Sequence, residues 1–252
     1  MIDFLRLLLG TVIYRPYVYG FFACFLFFSL KRFKPAQLIS YFVISYLTAY
    51  ASEYSATRNG FPFGVYTYID ATRTRELWLS NIPFWDSLSF VFLSYFSWIV
   101  AASTRKPGAP REALLDWQTA ILGGFLMMLL DVVIDPLSLL GDRWFLGKLY
   151  YYPYGGQYFG VTLTNFAGWF FVGASTLAIF QALARRLQWS FPELGPMETW
   201  GCFGVYAGVL AFNLAITGWI GAWTLFLASG ILTCATLGFV SKRILCKTKV
   251  RS

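Results

Sequence analysis

Four carboxylates and one carboxamide in apolar surroundings are the residues of this chain best suited to chemistry. Asp131 and Asp135 lie four residues apart in an apolar segment, which places them on one face of a helix, one turn apart. Glu53, Asp86 and Asn165 fall near the ends of three other apolar segments. A charged side chain in the middle of a membrane span costs about 2.5–3.5 kcal/mol on insertion scales, so acids at such positions need an explanation.

Two kinds of chemistry fit the close pair of aspartates. In a cluster of buried carboxyls, one member can stay protonated and donate a proton while its neighbour accepts one. Alternatively, the DxxxD spacing of Asp131 and Asp135 holds Mg²⁺ for a prenyl diphosphate. Polyprenyl-transferring enzymes need a second acidic motif, and the chain has no other DxxxD or DDxxD, which weakens the metal interpretation. Each acid also has a structural interpretation, as a helix cap, a solvated interfacial group or a hydrogen-bonding group between helices.

Two long connections between apolar segments, about 54–82 and 135–158, mix aromatic rings with glycine and proline. Residues 58–68 read RNGFPFGVYTY, and residues 150–160 read YYYPYGGQYFG. Proline and paired glycines impose specific turns, and ring faces stabilise cations by about 0.5–2 kcal/mol each. These connections therefore favour an aromatic pocket for a long apolar polyene that passes through a carbocation, although rings at a membrane interface also face lipid or pack between helices. The predicted substrate-binding residues are Phe61, Phe63, Tyr66, Tyr68, Asp86, Trp144, Tyr158, Phe159 and Trp169.

The elements that must position these residues are membrane-spanning helices. Of the 252 residues, 58% are hydrophobic, 21% aromatic and only 13% charged, whereas roughly a quarter are charged in an average soluble domain. This composition predicts an all-α fold, a polytopic transmembrane helix bundle that forms a single integral-membrane domain, 1–252, with about 20 residues per span. Residues 3–11 form an amphipathic helix or extend the first span. The seven predicted spans are 12–30, 36–54, 82–102, 113–134, 159–184, 200–217 and 219–240.

Basic residues cluster in alternate connections, at 31–34, 105–111 and 185–186, and in a tail at 241–252. By the positive-inside rule these parts are cytoplasmic, which places both aromatic connections on the non-cytoplasmic side. The net charge of +8 is therefore a topology signal, and no nucleic-acid partner is expected. We expect a multi-pass protein of the plasma (inner) membrane.

Several function classes are excluded by residues that the sequence lacks. The chain contains no histidine, which excludes Ser-His-Asp hydrolases, His-ligated haem and His-rich di-iron sites. It also contains no GxGxxG or GxxxxGKS/T nucleotide-binding motif. The four cysteines are far apart and show no CxxC spacing, so we predict structural thiols without a disulfide or a zinc site.

The motifs resemble those of a known family of membrane proteins. Glu53 with the 58–68 block is similar to the E…T..G.PFG.Y.Y block of the carotenoid biosynthesis membrane-protein family, which includes the acyclic carotenoid 1,2-hydratases. The resemblance covers about 40–175, in the family's order; Thr162 stands where the family pattern has proline, and 82–90 is more polar than the usual third span. The second block, similar to D…DP…G…W…YFG.PL.NF.GW, consists of Asp131, Asp135, Pro136, Gly141, Trp144 and residues 158–169.

This resemblance implies hydration without a cofactor or metal. Water adds across the terminal double bond of a long acyclic or monocyclic isoprenoid and gives a tertiary alcohol. From the chemistry, Asp131 or Asp135 would donate the proton, while Glu53 and Asn165 position water. The expected partners are a membrane-embedded polyene or isoprenoid substrate, the lipid bilayer and other membrane enzymes of the carotenoid pathway.

Two other functions remain open at this point. The first is a non-enzymatic carotenoid- or lipid-binding membrane subunit, which would keep the aromatic cavity and tolerate loss of the acids. The second is a Mg-dependent membrane prenyl-diphosphate enzyme, which EDTA would inactivate.

Overall fold

The computed structural model describes residues 2–105 and 111–249 and shows a bundle of α-helices. Lys106, Arg251 and the end of the predicted basic tail lie outside the described residues. The helices are α1 Ile2–Tyr14, α2 Pro16–Arg32, α3 Pro35–Asn59, α4 Phe84–Ser103, α5 Trp117–Leu139, α6 Leu163–Arg186, α7 Pro196–Trp219 and α8 Trp223–Lys249. The strands are β1 Thr67–Tyr68, β2 Trp78–Leu79, β3 Ile82–Pro83 and β4 Tyr150–Tyr151.

The apolar helices make the chain a helical membrane bundle. Within the described residues, α4 to α8 are long and apolar enough to cross a membrane, and α1 with α2 passes the same test as one pair bent by 93°. The seven predicted spans overlap α2 to α8 in position. However, α3 is less apolar than these helices because serine, threonine, tyrosine and glutamine side chains are interspersed along it, so the count of seven spans stays a prediction.

Four predicted spans start four residues before their helices do. The first predicted span, 12–30, includes the end of α1, because the chain bends at Arg15 and a new helix starts with Pro16. Proline fits this first helical position because its missing N–H would have no partner there. The helices expected from 113, 159 and 219 likewise begin later, after Asp116, Thr162 and Ala222.

The central element of the bundle is α4, which contacts α2, α3, α5, α6 and α7. In its most apolar stretch 83% of the residues are buried inside the protein, compared with 28% for α8. A helix that is surrounded by other helices can carry polar side chains without exposing them to lipid, which accounts for the unusual polarity of 82–90 noted in the sequence.

The closest helix packing in the fold joins α5 to α6. A Cβ atom at Gly124 would lie 2.6 Å from the backbone nitrogen of Ala174, and one at Gly173 would lie 3.2 Å from the Cα of Gly124. Small residues at both positions therefore let the two backbones touch, as is common between membrane helices. Asp131 lies seven residues after Gly124 and Asn165 lies eight residues before Gly173, so antiparallel packing brings these two side chains to the same level.

The two aromatic connections meet at one end of the bundle. Strand β1 pairs antiparallel with β4, with Thr67 opposite Tyr151 and Tyr68 opposite Tyr150. The FPFG turn packs on α6, because a Cβ at Gly168 would lie 2.7 Å from the carbonyl oxygen of Pro62. Both connections thus belong to one layer above the helices, and the side of the membrane on which this layer lies stays a prediction.

A buried ion pair ties the bend between α1 and α2 to both connections. Arg15 is 2% exposed and Glu76 is 0% exposed. The guanidinium donates from Nη2 to Glu76 Oε1 at 2.7 Å, from Nε to Glu76 Oε2 at 3.0 Å, and from Nη1 to the carbonyl oxygen of Leu146 at 2.7 Å. All three contacts hold Arg15 in place, so the start of α2, the first connection and the second connection are fixed to one another.

Removing one partner of this ion pair should destabilise the layer of connections. We expect Glu76→Gln to lower the free energy of unfolding by about 3–5 kcal/mol, because it leaves the Arg15 guanidinium buried without its counter-ion. The double variant Arg15→Met/Glu76→Leu should recover most of that loss, since it removes both charges. Unfolding of the purified protein in detergent measures both effects.

The exposed pair Arg6–Asp3 provides the control, since its atoms are 3.7 Å apart and its side chains are 68% and 88% exposed. Arg6→Met should leave the unfolding transition unchanged, because an exposed ion pair contributes little. A Glu76→Gln protein as stable as the wild type would show that the Arg15–Glu76 ion pair does not stabilise the fold.

Candidate active site

Asp131, Asp135 and Asn165 form one buried cluster between α5 and α6. Asn165 lies in the first turn of α6, and its Nδ2 donates to Asp131 Oδ2 at 2.6 Å and to Asp135 Oδ2 at 3.0 Å. The three side chains are 1%, 7% and 4% exposed. A carboxamide nitrogen has two hydrogens, so it can serve both carboxyls at once. The structure therefore brings together three of the five residues that the sequence analysis singled out for chemistry.

Tyr152 completes this cluster from the second connection. Its hydroxyl donates to Asp135 Oδ2 at 2.9 Å. Burial, together with the nearby charge of Asp135, raises the pKa of Tyr152 well above its usual value, so the hydroxyl keeps its proton and acts as a donor. Within the described residues, Asp135 Oδ2 accepts two hydrogen bonds and Asp131 Oδ2 accepts one.

Glu53 and Asp86 form a second pair of carboxyls, joined by Tyr68. The Tyr68 hydroxyl lies 3.0 Å from Glu53 Oε2 and also contacts Asp86 Oδ2. Glu53 comes from α3, Asp86 from the first turn of α4 and Tyr68 from β1. Burial and the charges of Asp86 and Glu53 raise the pKa of Tyr68 well above its usual value, so the hydroxyl stays protonated.

A small cavity of about 120 Å³ connects the two groups of acids, since Asp86, Asp131 and Asp135 all line it. Pockets for drug-sized ligands have volumes of about 300–1,000 Å³, so this cavity accommodates the end of a long chain and not its whole length. Its other walls are mainly apolar. The rings that line it are Tyr17, Phe21, Trp85, Phe92, Trp144, Tyr150, Trp169 and Phe212.

Three of the nine predicted substrate-binding residues, Asp86, Trp144 and Trp169, line this cavity. The other six rings lie outside its lining and pack in or under the layer of connections. Tyr68 contacts Glu53 and Asp86, as described above. Of the remaining five, Phe63 and Tyr66 are buried. Tyr158 is partly buried and contacts the rings of Phe159 and Phe166. Phe159 and Phe61 are exposed, and the ring of Phe61 contacts that of Phe171.

The predicted acids and amide also differ in how they reach the cavity. Asp131 and Asp135 line it directly, and Asn165 contacts both of them. Glu53 is not part of the lining and is connected to it through Tyr68 and Asp86.

Sequence reasoning missed the contributions of α2 and α7 to the cavity. Tyr17 and Phe21 come from α2, and Phe212 and Asn213 come from α7. The three rings are ordinary residues of apolar segments among 52 aromatic residues, so no signal distinguishes them, whereas Asn213 is a polar residue within an apolar segment. The contact of Tyr152 with Asp135 was also missed, because 150–152 is a run of three tyrosines that the sequence does not distinguish from one another.

Arg15 was also missed as a part of the site. Its guanidinium carbon lies 4.9 Å from the ring centroid of Trp85, which lines the cavity. The sequence analysis used basic residues for topology alone. A buried arginine becomes recognisable when its acidic partner is known, and Glu76 lies 61 residues away in the chain.

Asp116 has a structural role at the other end of α5. It is the N-cap of that helix, accepts a hydrogen bond from the backbone N–H of Gln118 at 3.1 Å and pairs with Arg105. Fifteen residues of helix separate it from Asp131, a distance of about 22 Å. This carboxylate is therefore not a part of the site.

All four cysteines lie in the described residues, and each is a free thiol. Within residues 2–105 and 111–249, there is no group of three or more His, Cys, Asp or Glu side chains that could hold a metal ion.

Comparison with known proteins defines the class to which this bundle belongs. A model of the family described as carotenoid biosynthesis protein matches residues 4–238, and the chain therefore belongs to that family, as its motifs indicated. The chain is similar to a Haloarcula japonica protein named bisanhydrobacterioruberin hydratase, with 26% identity over 151 residues. This match covers 56% of the chain and 46% of that protein, so it spans less than half of the relative's length. No solved structure matches the chain.

The amide bridge in the cluster makes a testable contribution to stability. We expect Asn165→Ala to lower the free energy of unfolding by about 1–3 kcal/mol, because two buried carboxyls lose their shared donor. In a double-mutant cycle with Asp131→Asn, the two substitutions should couple by about 0.5–3 kcal/mol. Unfolding in detergent gives all four values, and strictly additive effects would show that the contact contributes nothing.

Proposed function

We propose that this chain hydrates the terminal double bond of a long acyclic or monocyclic isoprenoid and produces a tertiary alcohol. The observation that carries the proposal is the pair of buried carboxyls, bridged by one amide, that faces an aromatic cavity. Membership of the carotenoid biosynthesis family and similarity to a protein named as a hydratase support the same reaction.

The first step is the protonation of the terminal alkene. Asp131 is the better donor of the pair, because Oδ2 of Asp135 already accepts hydrogen bonds from both Tyr152 and Asn165, which favours its ionised form. The carboxyl proton of Asp131 adds to the less substituted carbon and forms a C–H bond with the π electron pair. The positive charge then develops on the tertiary carbon.

The rings of the cavity stabilise that charge. Trp85, Trp144 and Trp169 all line the cavity, and a ring face stabilises a cation by about 0.5–2 kcal/mol. A carbocation cannot accept or donate an ordinary hydrogen bond, so ring faces and carboxylates are the groups able to stabilise it. Asp135 adds a fixed negative charge at the same wall.

Water then captures the cation and forms the C–O bond. Asn165 uses its two N–H groups on the carboxyls, so its Oδ1 is the atom that remains to orient a water molecule. Glu53 does not contact this water directly and acts on it through the hydrogen bonds that connect it to Tyr68 and Asp86.

Removing the titrating proton should abolish turnover without unfolding the protein. Asp131→Asn is nearly isosteric and keeps hydrogen-bonding capacity. If Asp131 is the general acid, we expect turnover to fall by about 10²–10⁴-fold. The measurement is pigment extraction from a lycopene-producing host, with mass spectrometry for the gain of one water, normalised to correctly inserted protein.

Two further variants serve as comparisons for Asp131→Asn. Asp116→Asn should stay fully active, because asparagine is also a good N-cap and the position lies at the far end of α5. Asp135→Asn distinguishes the two carboxyls, since it should reduce turnover less than Asp131→Asn if Asp131 is the donor. Full activity in both Asp131→Asn and Asp135→Asn would contradict acid catalysis by this pair and favour a carotenoid-binding subunit.

The source of the hydroxyl oxygen gives an independent test. Hydration predicts that the label from H₂¹⁸O enters the product alcohol and that the label from ¹⁸O₂ does not. Turnover should also persist in the presence of EDTA, whereas a Mg-dependent prenyl-diphosphate enzyme would lose activity. Product labelled from ¹⁸O₂ would overturn the proposal in favour of an oxygenase.

A further inference from the structure

The second group of acids contains more hydrogen-bond contacts than it has hydroxyl protons. Tyr68 has one O–H hydrogen, yet its oxygen contacts a carboxyl oxygen of Glu53 and one of Asp86. A phenol can donate to one carboxylate and accept from one protonated carboxyl. A proton on one of the two carboxyls satisfies both contacts, and a shift of two hydrogens along the chain moves that proton from one carboxyl to the other.

The two ends of this group face different surroundings. Asp86 lines the same cavity as Asp131 and Asp135, whereas Glu53 is outside the lining and partly exposed. Asp86 lies at the start of α4, whereas Asp131 and Asp135 lie on α5, so the acids line the cavity from two different helices. A substrate end in this cavity thus has carboxyls contributed by both helices.

From this geometry we infer that Asp86 is a further catalytic residue, the base that takes the proton from the attacking water, with Tyr68 and Glu53 as positioning residues behind it. This inference rests on the proposed function. In the resting arrangement Glu53 is protonated and donates to Tyr68, and Tyr68 donates to the Asp86 carboxylate.

The atoms and charges of the step balance. Water oxygen forms the C–O bond to the tertiary carbon while one of its O–H bonds breaks, and that proton goes to the Asp86 carboxylate. The group then holds two carboxyl protons and releases one from Glu53 on the side away from the cavity. Uptake of one proton by Asp131 restores the donor, so hydration consumes one water and no net proton.

If Asp131 is the proton donor and Asp86 is a separate base, isotope exchange distinguishes Asp86 from a structural aspartate. In D₂O, the wild-type protein should convert lycopene to an alcohol with one carbon-bound deuterium. Asp86→Asn should still allow protonation by Asp131, but capture of water should fall by about 10²–10⁴-fold. The cation then loses a proton again, so recovered lycopene should contain deuterium at its terminal groups, at an exchange rate of the same order as wild-type turnover.

Tyr68→Phe keeps the ring and removes the hydroxyl that joins the two carboxyls. It should lower hydration and raise the ratio of deuterium exchange to hydration, in the same sense as Asp86→Asn. Tyr19→Phe is the matched control, because the buried Tyr19 hydroxyl has no hydrogen-bond partner among the described residues, and its ratio should equal that of the wild type. If Asp86→Asn fails to fold, Tyr68→Phe still tests the inference by this ratio.

The outcomes separate the inference from the function on which it rests. If the wild type hydrates lycopene but folded Asp86→Asn neither hydrates nor exchanges, Asp86 belongs to the protonation step and the inference is overturned. Wild-type hydration by Asp86→Asn, or an unchanged ratio in Tyr68→Phe, overturns it as well. A wild-type protein that neither hydrates nor exchanges contradicts the proposed function itself, and the inference falls with it.

Discussion

The contact of one amide with two buried carboxyls depends on how closely α5 approaches α6. A side chain as short as asparagine can reach both Asp131 and Asp135 because the two backbones touch at Gly124 and Gly173. Any larger residue at those glycines would push the helices apart along their length and separate the donor from its acceptors. Two residues without side chains thus set the geometry of carboxyls about two turns away.

The layer of connections extends this geometry to the second pair of acids. Because Tyr68 lies opposite Tyr150 in the β1–β4 pair, Tyr152 lies only one side-chain repeat further along the strand direction. One tyrosine of the layer contacts Asp135 and the other contacts Glu53 and Asp86, so β1 and the residue that follows β4 position hydroxyls over both groups. The contacts of Arg15 with Glu76 and Leu146 hold the same layer to the start of α2, which contributes Tyr17 and Phe21 to the cavity.

The sequence predicted the bundle and the central acids because their signals are local. Long apolar segments and a four-residue spacing are properties of the chain itself, and they singled out Asp131, Asp135 and Asn165, which the structure joins by hydrogen bonds. The bend at Arg15 was not predicted, because the apolar pattern continues across it and its partner Glu76 is distant in sequence. Nor could a pattern show that Glu53 stays outside the cavity, since that depends on where Tyr68 inserts between α3 and α4.

The size of the cavity connects this geometry to the choice of substrate. A volume of about 120 Å³ lined by rings accommodates a slender branched chain end beside a water molecule. The rest of the proposed polyene substrate would then extend beyond the cavity, between helices or into lipid. A bulky cyclic end group would displace the water or the rings, so the free acyclic end is the one that fits. In the proposed reaction, carboxyls from α4 and α5 would act on a carbon whose position is set by the walls, and these walls would restrict hydration to the terminal double bond.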